Sequence, residues 1–161
     1  MKKLVFFLTL AMVFALLTCV IVPRAAAVDV WAAPLPDDVK IVAPAPELPK
    51  ELAAFLAKWR GHFAISGSFL EAIMVVEEIG ADMKEARVIY STGALKGSSL
   101  SKPSYWRLKA KVIPGTLPKI EFVTEAGSNL TFEMNKDLKT LKALYESKGR
   151  TIIRTKMERI D

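Results

Sequence analysis

Cysteine and histidine are nearly absent from the sequence, and each scarcity excludes a kind of chemistry. The 161 residues include one cysteine and one histidine. Cys19 lies in an apolar N-terminal segment, so the chain beyond that segment has no thiol. Without a thiol, that remainder cannot form a disulfide, use a thiolate nucleophile or bind zinc through cysteine. The single histidine, His62, gives little support to acid–base catalysis.

A strong excess of charge of one sign is also missing. The full chain carries 23 Lys and Arg against 17 Asp and Glu, a formal net charge of +6. Residues 1–27 hold three of the basic side chains and no acid, so the remainder has 20 basic against 17 acidic residues and a charge of +3. That excess is too small to predict nucleic-acid binding. The remaining length, about 130 residues, suits one hydrophobic core.

The first 27 residues have the order of a secretory signal peptide. Lys2 and Lys3 precede an uncharged run over 4–22, and a proline, an arginine and three alanines follow. Ala25 and Ala27 form the small-x-small pair that signal peptidase requires, so we expect cleavage after Ala27 and a periplasmic or secreted protein. The apolar run is longer than usual for a signal peptide, which leaves an uncleaved N-terminal membrane anchor as the alternative.

A proline-rich segment and a short helix come next. Residues 28–47 contain four prolines, and proline lacks the backbone donor and the φ freedom that helices and sheets require. This composition predicts an extended, partly disordered linker. Over 48–59 the apolar residues recur at the spacing of one helical face, at Leu52, Phe55, Leu56 and Trp59. The predicted helix spans about three turns, so it needs a partner surface to be stable.

From Trp59 onward the apolar residues recur at every second position, which is the period of a strand with one buried face. In the clearest segment, Tyr105–Ile113, Trp106 and Leu108 alternate with basic residues. Turn residues divide this region into eight predicted strands, at 59–65, 69–79, 86–92, 105–113, 120–125, 130–134, 138–145 and 153–159. The Leu/Lys mixture of 138–145 is also compatible with a helix; we predict a strand because its neighbours are strands.

Eight consecutive strands with one apolar face each need a partner for that face. A sandwich or an up-and-down barrel provides it, and closure into a barrel also removes both exposed edges. We therefore predict an all-β domain over 48–161, an eight-stranded antiparallel up-and-down barrel that the short helix caps at one end. The interior of an eight-stranded barrel is either filled by side chains or holds one small ligand.

Three segments of this domain also carry a resemblance. They are Lys-Trp-Arg-Gly-His-Phe at 58–63, Ile-Met-Val-Val-Glu-Glu-Ile at 73–79 and Ala-Arg-Val-Ile-Tyr-Ser-Thr-Gly at 86–93. Together they resemble a bacterial lipocalin-like β-barrel family, and 155–160 is similar to its closing Met-x-Arg strand. The resemblance covers Lys58–Ile160 and implies the barrel fold but no particular function.

The wider lipocalin group also implies a contact between two residues of this chain. In that group an arginine from the end of the barrel packs across a tryptophan on the first strand, so the resemblance implies that Arg159 stacks on Trp59. Two positions depart from the family pattern. Phe63 stands where the pattern has a second tryptophan, and Ala57 stands where a glycine is usual.

Strand alternation predicts which side chains point into the barrel. The inward set would line a pocket for an apolar or flat molecule, and it consists of Phe63, Tyr90, Trp106, Leu108, Phe122, Phe132, Met134 and Met157. The alternative is that the same side chains simply fill the core.

Three polar residues complete the predicted interior. Tyr90 and Thr155 would be the polar groups of a cavity. Glu77 shares its parity with Ile73 and Val75, so we expect it inside as well. A buried carboxylate needs a basic partner, and the candidates are Arg159, in a structural ion pair at the barrel floor, or another basic residue.

A catalytic or metal-binding constellation is not predicted. His62 is expected to face away from Trp59 and Phe63, no Gly-x-Ser-x-Gly nucleophile motif is present, and Glu77 and Glu78 should point to opposite faces of a strand. The glycines of 93–99 lack the spacing of a phosphate-binding loop and indicate a flexible loop at the barrel mouth. We therefore expect no enzyme activity, no cofactor and no metal.

Two functions follow from these patterns. The first is an exported carrier that binds a small apolar molecule in the barrel. The alternative is a non-catalytic cell-envelope module with a filled core, which binds an envelope component through its mouth loop or an outer basic stripe of Lys102, Arg107, Lys109 and Lys111. A stripe of this kind is also typical of an ordinary solvated strand face. Contact with a membrane is expected only if the leader stays uncleaved.

Overall fold

Short strands make up most of the described residues in a computed structural model, which covers 30–95, 97, 100–148 and 152–161. The elements are β1 (Val30–Trp31), α1 (Lys50–Ala53), β2 (Lys58–Ile65), β3 (Ser68–Ile79), β4 (Glu85–Thr92), β5 (Ala94–Leu95), β6 (Ser104–Ile113), β7 (Lys119–Val123), β8 (Asn129–Met134), β9 (Thr140–Glu146) and β10 (Ile152–Ile160). The predicted signal peptide lies outside the described residues. Within them, no helix is long and apolar enough to span a membrane.

Eight of these strands close into an antiparallel barrel in the order β2-β3-β4-β6-β7-β8-β9-β10, with β10 paired to β2. The predicted all-β up-and-down barrel is therefore confirmed. At the closing seam, Met157 pairs with Gly61 and Ile160 with Lys58. A Cβ added to Gly61 would lie 2.7 Å from Met157 Cγ and 2.9 Å from Lys156 O, so the close approach of these two strands requires glycine.

The barrel interior is the main hydrophobic core. Strands with one buried face alternate as predicted; in β6, for example, Ala110 and Val112 are buried while Lys109 and Lys111 are exposed. Strand β3 differs, because Ala72–Glu77 is buried on both faces. A strand covered on both faces needs a second layer outside the barrel.

The proline-rich segment provides that layer. Residues 32–42, called the strap below, lie along the outer face of β3 and β4, where Ala33, Leu35 and Val39 cover Ile73, Val75 and Ile89. The linker is extended as predicted, but its interpretation as a partly disordered spacer is wrong for these residues. Proline does not prevent this docking, because the strap contacts the barrel mainly through side chains and through a few single hydrogen bonds.

Hydrogen bonds hold the strap at both ends. The backbone N–H of Ala33 donates to Glu71 Oε2 at 2.7 Å, and the N–H of Val42 donates to the Glu77 carbonyl at 2.8 Å. Between them the Ser91 hydroxyl donates to the carbonyl of Pro34. Before the strap, β1 pairs with β5, so the N-terminal segment also reaches the connection after β4.

The capping helix is present but shorter than predicted. It spans Lys50–Ala53, whereas the periodicity indicated 48–59. Leu52, Phe55 and Trp59 are nevertheless buried together in the core, and the Trp59 indole N–H donates to the Phe55 carbonyl at 2.9 Å. The helix ends early because strand pairing begins at Lys58, so a turn has to carry Phe55 inward instead of another helical turn.

Candidate ligand-binding cavity

The two ends of the barrel have different interiors. At the closed end, where α1 packs, Trp59, Phe132, Met134 and Met157 are fully buried and fill the core. At the opposite end, called the mouth, the interior contains a cavity of about 460 Å³ that is partly open to solvent. The mouth is formed where β2, β4, β7 and β9 end.

Apolar side chains dominate the wall of this cavity. They are Phe63, Ile65, Leu70, Leu100, Trp106, Leu108, Ala126, Leu130 and Ile153. The rings of Tyr90 and Trp106 stack with centroids 6.4 Å apart and an interplanar angle of 22°, which makes one wall flat and aromatic. The opposite edge of Tyr90 packs on the core, with its centroid 5.4 Å from that of Phe122.

The eight residues of the predicted inward set separate into two groups. Phe63, Tyr90, Trp106 and Leu108 line the cavity. The other four belong to the hydrophobic core and do not line it: Phe122, Phe132, Met134 and Met157. The two predicted alternatives, a lined pocket and a filled core, therefore both occur in one barrel, and Phe122 and Phe132 of the core pack against Tyr90 of the cavity wall.

Hydroxyl groups are the main polar feature of the cavity wall. Ser128 Oγ and Tyr145 OH are hydrogen-bonded at 3.0 Å. Burial raises the pKa of the Tyr90 hydroxyl, and the nearby Tyr145 raises it further, so Tyr90 stays protonated at neutral pH. Thr92 Oγ1 is buried and has no hydrogen-bond partner among the described residues. Glu125 is the one charged side chain in the described lining, and it is exposed.

Part of this site could have been predicted from the sequence and part could not. Thr92 follows Tyr90 by two positions on one strand, so the alternation that selected Tyr90 selects Thr92 too. Tyr145 shares the face of Ala143 on β9 by the same rule. Ser128 lies in the turn between β7 and β8, where no period applies, and only the folded turn brings it to Tyr145.

The connection after β4 lies across the mouth. Leu95 is buried in the main core, its N–H donates to the Leu100 carbonyl at 2.8 Å, and Leu100 lines the cavity. Residues 96, 98 and 99 of the predicted mouth loop lie outside the described residues, and Leu100, just after that loop, contributes an apolar side chain to the cavity wall.

Glu77 requires a correction. The predicted parity with Ile73 and Val75 holds, but that shared face is the outer one, beneath the strap. Its carboxylate accepts from the Lys40 backbone N–H at 3.3 Å and from Arg87 Nε at 3.2 Å. The predicted ion pair with Arg159 is therefore wrong.

A β-bulge after Val76 also changes the expected geometry of the neighbouring acids. Glu77 and Glu78 were expected on opposite faces, yet both bind Arg87, which reaches Glu78 Oε2 at 2.9 Å. The bulge adds one residue to β3, so the strict alternation of faces is lost there.

Two further predictions concern β10. Thr155 donates its hydroxyl to the His62 carbonyl at 2.7 Å and does not line the cavity, so it is not the predicted polar group. Arg159 lies directly opposite Trp59 in the β2–β10 ladder. This register gives the two side chains the same neighbourhood, and their cation–π stacking stays a prediction.

Part of the outer basic stripe is paired with acids. Arg107 Nη2 lies 2.7 Å from Asp38 Oδ1 on the strap, and its hydrogen bond lowers the pKa of Asp38. Lys109 lies 3.7 Å from Glu85, and Lys111 pairs with Glu121 across the β6–β7 ladder. Two of the four basic side chains of the stripe, Arg107 and Lys109, therefore lie within ion-pair distance of an acid.

A second concavity, of about 530 Å³, lies over the outer surface of β7–β10. Its lining includes Lys119 and Lys142, which bind Glu133 at 3.1 and 3.3 Å. The hydrogen bond from Lys119, together with Lys142 and against partial burial, holds the pKa of Glu133 below its usual value. Both lysines are already paired with Glu133 of the same chain. We therefore take the interior cavity as the candidate site.

The described residues place no group of three or more His, Cys, Asp or Glu side chains where they could hold a metal ion. His62 is exposed on β2. The chain matches no protein-family model, and no curated protein matches it significantly. Its membership of the lipocalin-like family therefore stays a prediction.

Proposed function

We propose that this protein is an exported carrier that binds a small apolar molecule in the mouth cavity. The observation that carries the proposal is the cavity itself: about 460 Å³ of space inside a closed barrel, with walls that are mostly aliphatic and aromatic. Small-molecule sites in proteins typically occupy about 300–1,000 Å³ and combine apolar walls with a few polar groups. The cavity has both properties.

The hydrophobic effect supplies the driving force for such binding. Each CH₂ group that moves from water to the apolar wall contributes about 0.8 kcal/mol. Water molecules in the cavity are poorly stabilised, because a stable buried water needs about two to four polar partners and most of the wall offers none. The flat wall of Tyr90 and Trp106 favours a planar or ring-containing guest.

Export is the second part of the proposal, and the predicted signal peptide over 1–27 supports it. The alternative function, an envelope module with a filled core, gains no support from the outer face. Arg107 and Lys109 of its basic stripe are paired with Asp38 and Glu85, and the barrel core is not filled at the mouth.

A cavity-blocking variant tests the proposal. The neutral fluorescent probe N-phenyl-1-naphthylamine is titrated into the wild type, Leu108→Trp and Val123→Trp. Leu108 lines the cavity, whereas Val123 is 60% exposed on β7 and is the matched control for the added indole. We expect saturable binding to the wild type and the control, and binding weaker by about tenfold or more, about 1.4 kcal/mol, in Leu108→Trp.

Thermal unfolding of all three proteins checks that the variants are folded. The proposal fails if the folded wild type gives no saturable signal. It also fails if Leu108→Trp, folded, binds the probe as tightly as Val123→Trp does, because the probe is then bound elsewhere.

A further inference from the structure

One hydroxyl of the cavity wall is left without a partner. Thr92, at the end of β4, is 5% exposed and lines the cavity, yet its Oγ1 has no hydrogen-bond partner among the described residues. The preceding residue, Ser91, is also buried, but its hydroxyl donates to the Pro34 carbonyl on the strap. Buried hydroxyls in native proteins are nearly always hydrogen-bonded. The hydroxyl of Thr92 therefore lacks, within the described chain, a hydrogen-bond partner that a bound molecule can provide.

Two other hydroxyl sites face the same space. Tyr90 lies two residues before Thr92 on the same face of β4, and it also lines the cavity. Across the cavity, Ser128 and Tyr145 share one hydrogen bond. Two hydroxyls have two protons, so this pair keeps one proton free to donate. Each site offers a neutral donor, and burial keeps Tyr90 in its protonated form.

Charge in the described wall is confined to one exposed acid. Glu125 is the only charged residue among the described lining residues, and no lysine, arginine or histidine stands with it. Within the described part of the lining, a carboxylate that entered the cavity would find no cationic partner to compensate for its lost hydration. An uncharged oxygen pays a much smaller desolvation penalty and gains a hydroxyl partner.

We propose that the cavity selects uncharged molecules that present one hydroxyl or carbonyl oxygen to Thr92 and Tyr90, and that it discriminates against carboxylates. This inference rests on the proposed function and specifies the class of ligand. Threonine suits the role, because χ1 has three staggered wells and a turn of about 120° carries Oγ1 from its buried position to that of another Cβ substituent.

Three probes of one size test the selection. Pyrene, 1-pyrenemethanol and 1-pyrenecarboxylate share a flat body and differ in having no oxygen, a neutral hydroxyl or an anionic group. Their binding at pH 7 is measured by fluorescence titration on the wild type, Thr92→Val and Thr92→Ser. Valine keeps the shape of threonine without its hydroxyl, and serine keeps the hydroxyl.

We expect the wild type to bind 1-pyrenemethanol about tenfold more tightly than 1-pyrenecarboxylate. In Thr92→Val, the alcohol should lose about fivefold in affinity while pyrene is unchanged, because one hydrogen bond is removed from a neutral pair. Thr92→Ser should restore the preference for the alcohol. Thermal unfolding should show Thr92→Val to be at least as stable as the wild type, since it removes an unsatisfied buried group.

The other outcomes overturn the inference in distinguishable ways. Equal binding of all three probes, tightest binding of the carboxylate, or equal losses for pyrene and the alcohol in Thr92→Val would each refute the selection and leave the carrier function intact. If neither pyrene nor N-phenyl-1-naphthylamine binds the folded wild type, the carrier function fails and this inference fails with it.

Discussion

The closed end and the mouth of the barrel are built from the same strands but pack differently. At the closed end the large side chains of Trp59, Phe132 and Met157 meet under the helical cap. At the mouth, Tyr90 and Trp106 stack along one wall and leave space in front of them. An eight-stranded barrel is just wide enough for either arrangement, so the side chains of each layer decide which one forms.

The pairing of β2 with β10 at the closing seam also differs between the two ends. The β2–β10 ladder covers Lys58–Gly61 only, although β2 continues to Ile65. The backbone ladder therefore joins the strands near the closed end, and beyond it the Thr155 hydroxyl still donates to the His62 carbonyl, while Phe63, Ile65 and Ile153 line the cavity. The comparison teaches that one barrel can combine a stabilising core with a binding space, each at its own end.

The largest effect on stability is expected when one tryptophan at each end is replaced by alanine. Trp59→Ala should lower the free energy of unfolding by about 3–5 kcal/mol, because the indole is fully buried in packed core. Trp106→Ala should cost about 1–2 kcal/mol, because its ring is only partly buried beside existing space. Urea denaturation measures both. Equal losses would mean that the ends are packed alike.

A second test concerns the seam. Gly61→Ala should destabilise the protein by about 1–3 kcal/mol, because the added methyl group meets Met157 and the Lys156 carbonyl. Gly115→Ala is the matched control: no atom lies within 4 Å of its added Cβ, so its effect should stay within about 0.5 kcal/mol. A harmless Gly61→Ala would contradict the tight closure of the barrel at this point.

A third test concerns the docking of the strap on the outer face of β3 and β4. Glu77→Gln should cost about 1 kcal/mol, since it removes the charge that binds half-exposed Arg87 and Arg107 and keeps an acceptor for Lys40. The amide of Lys40 should then exchange faster with solvent, as measured by hydrogen exchange. Glu78→Gln is the control, because the half-exposed Glu78 side chain binds Arg87, which is on β4 and not on the strap. Identical exchange in both variants would separate Glu77 from strap docking.

The smallest expected effect is a dependence of stability on pH that comes from Tyr90 at the mouth. This dependence does not occur near neutral pH. Burial raises the pKa of Tyr90 above its ordinary value of 10.0, so the folded state keeps a proton that the unfolded state loses. The stability due to this group is present below pH 10.0 and decreases as the pH rises above it. Tyr90→Phe should flatten this alkaline decrease in urea titrations. Tyr105→Phe, at an exposed position, should leave it unchanged.

The strands were the most predictable part of the fold because their signal is local. The period of two in 105–113 depends only on one face being buried, and β6 follows it residue by residue. The helix was less predictable, because the pairing of Lys58 with Val75 competes with the helical pattern and ends it at Ala53. Strand pairing of this kind is a long-range contact that periodicity does not contain.

The docking of the strap was not predicted, although the sequence shows that the strand beneath it needs to be covered. The run Ile73–Glu77 lacks alternation, and a strand that is apolar on both faces requires cover on both sides. The sequence does not say which segment supplies that cover, and a proline-rich composition favours the wrong answer. Glu77 was misplaced for the same reason, since its burial comes from the strap and not from the barrel interior.

The candidate site was predictable in its wall but not in its extent. Alternation selects Tyr90 and Trp106, yet it also selects Phe132 and Met157, because the period gives the face of a residue and not its height in the barrel. Height depends on the stagger of neighbouring strands, which only the register of the closed barrel determines.

The most direct test of the two-ended interior is an NMR measurement of contacts to a bound probe. Nuclear Overhauser effects are recorded between N-phenyl-1-naphthylamine and the side chains of the saturated protein. The account predicts cross-peaks to Leu70, Leu108 and Ile153 at the mouth, and none to Met134 and Met157 at the closed end. Cross-peaks confined to Leu144 on the outer surface, or spread evenly over both ends, would contradict it.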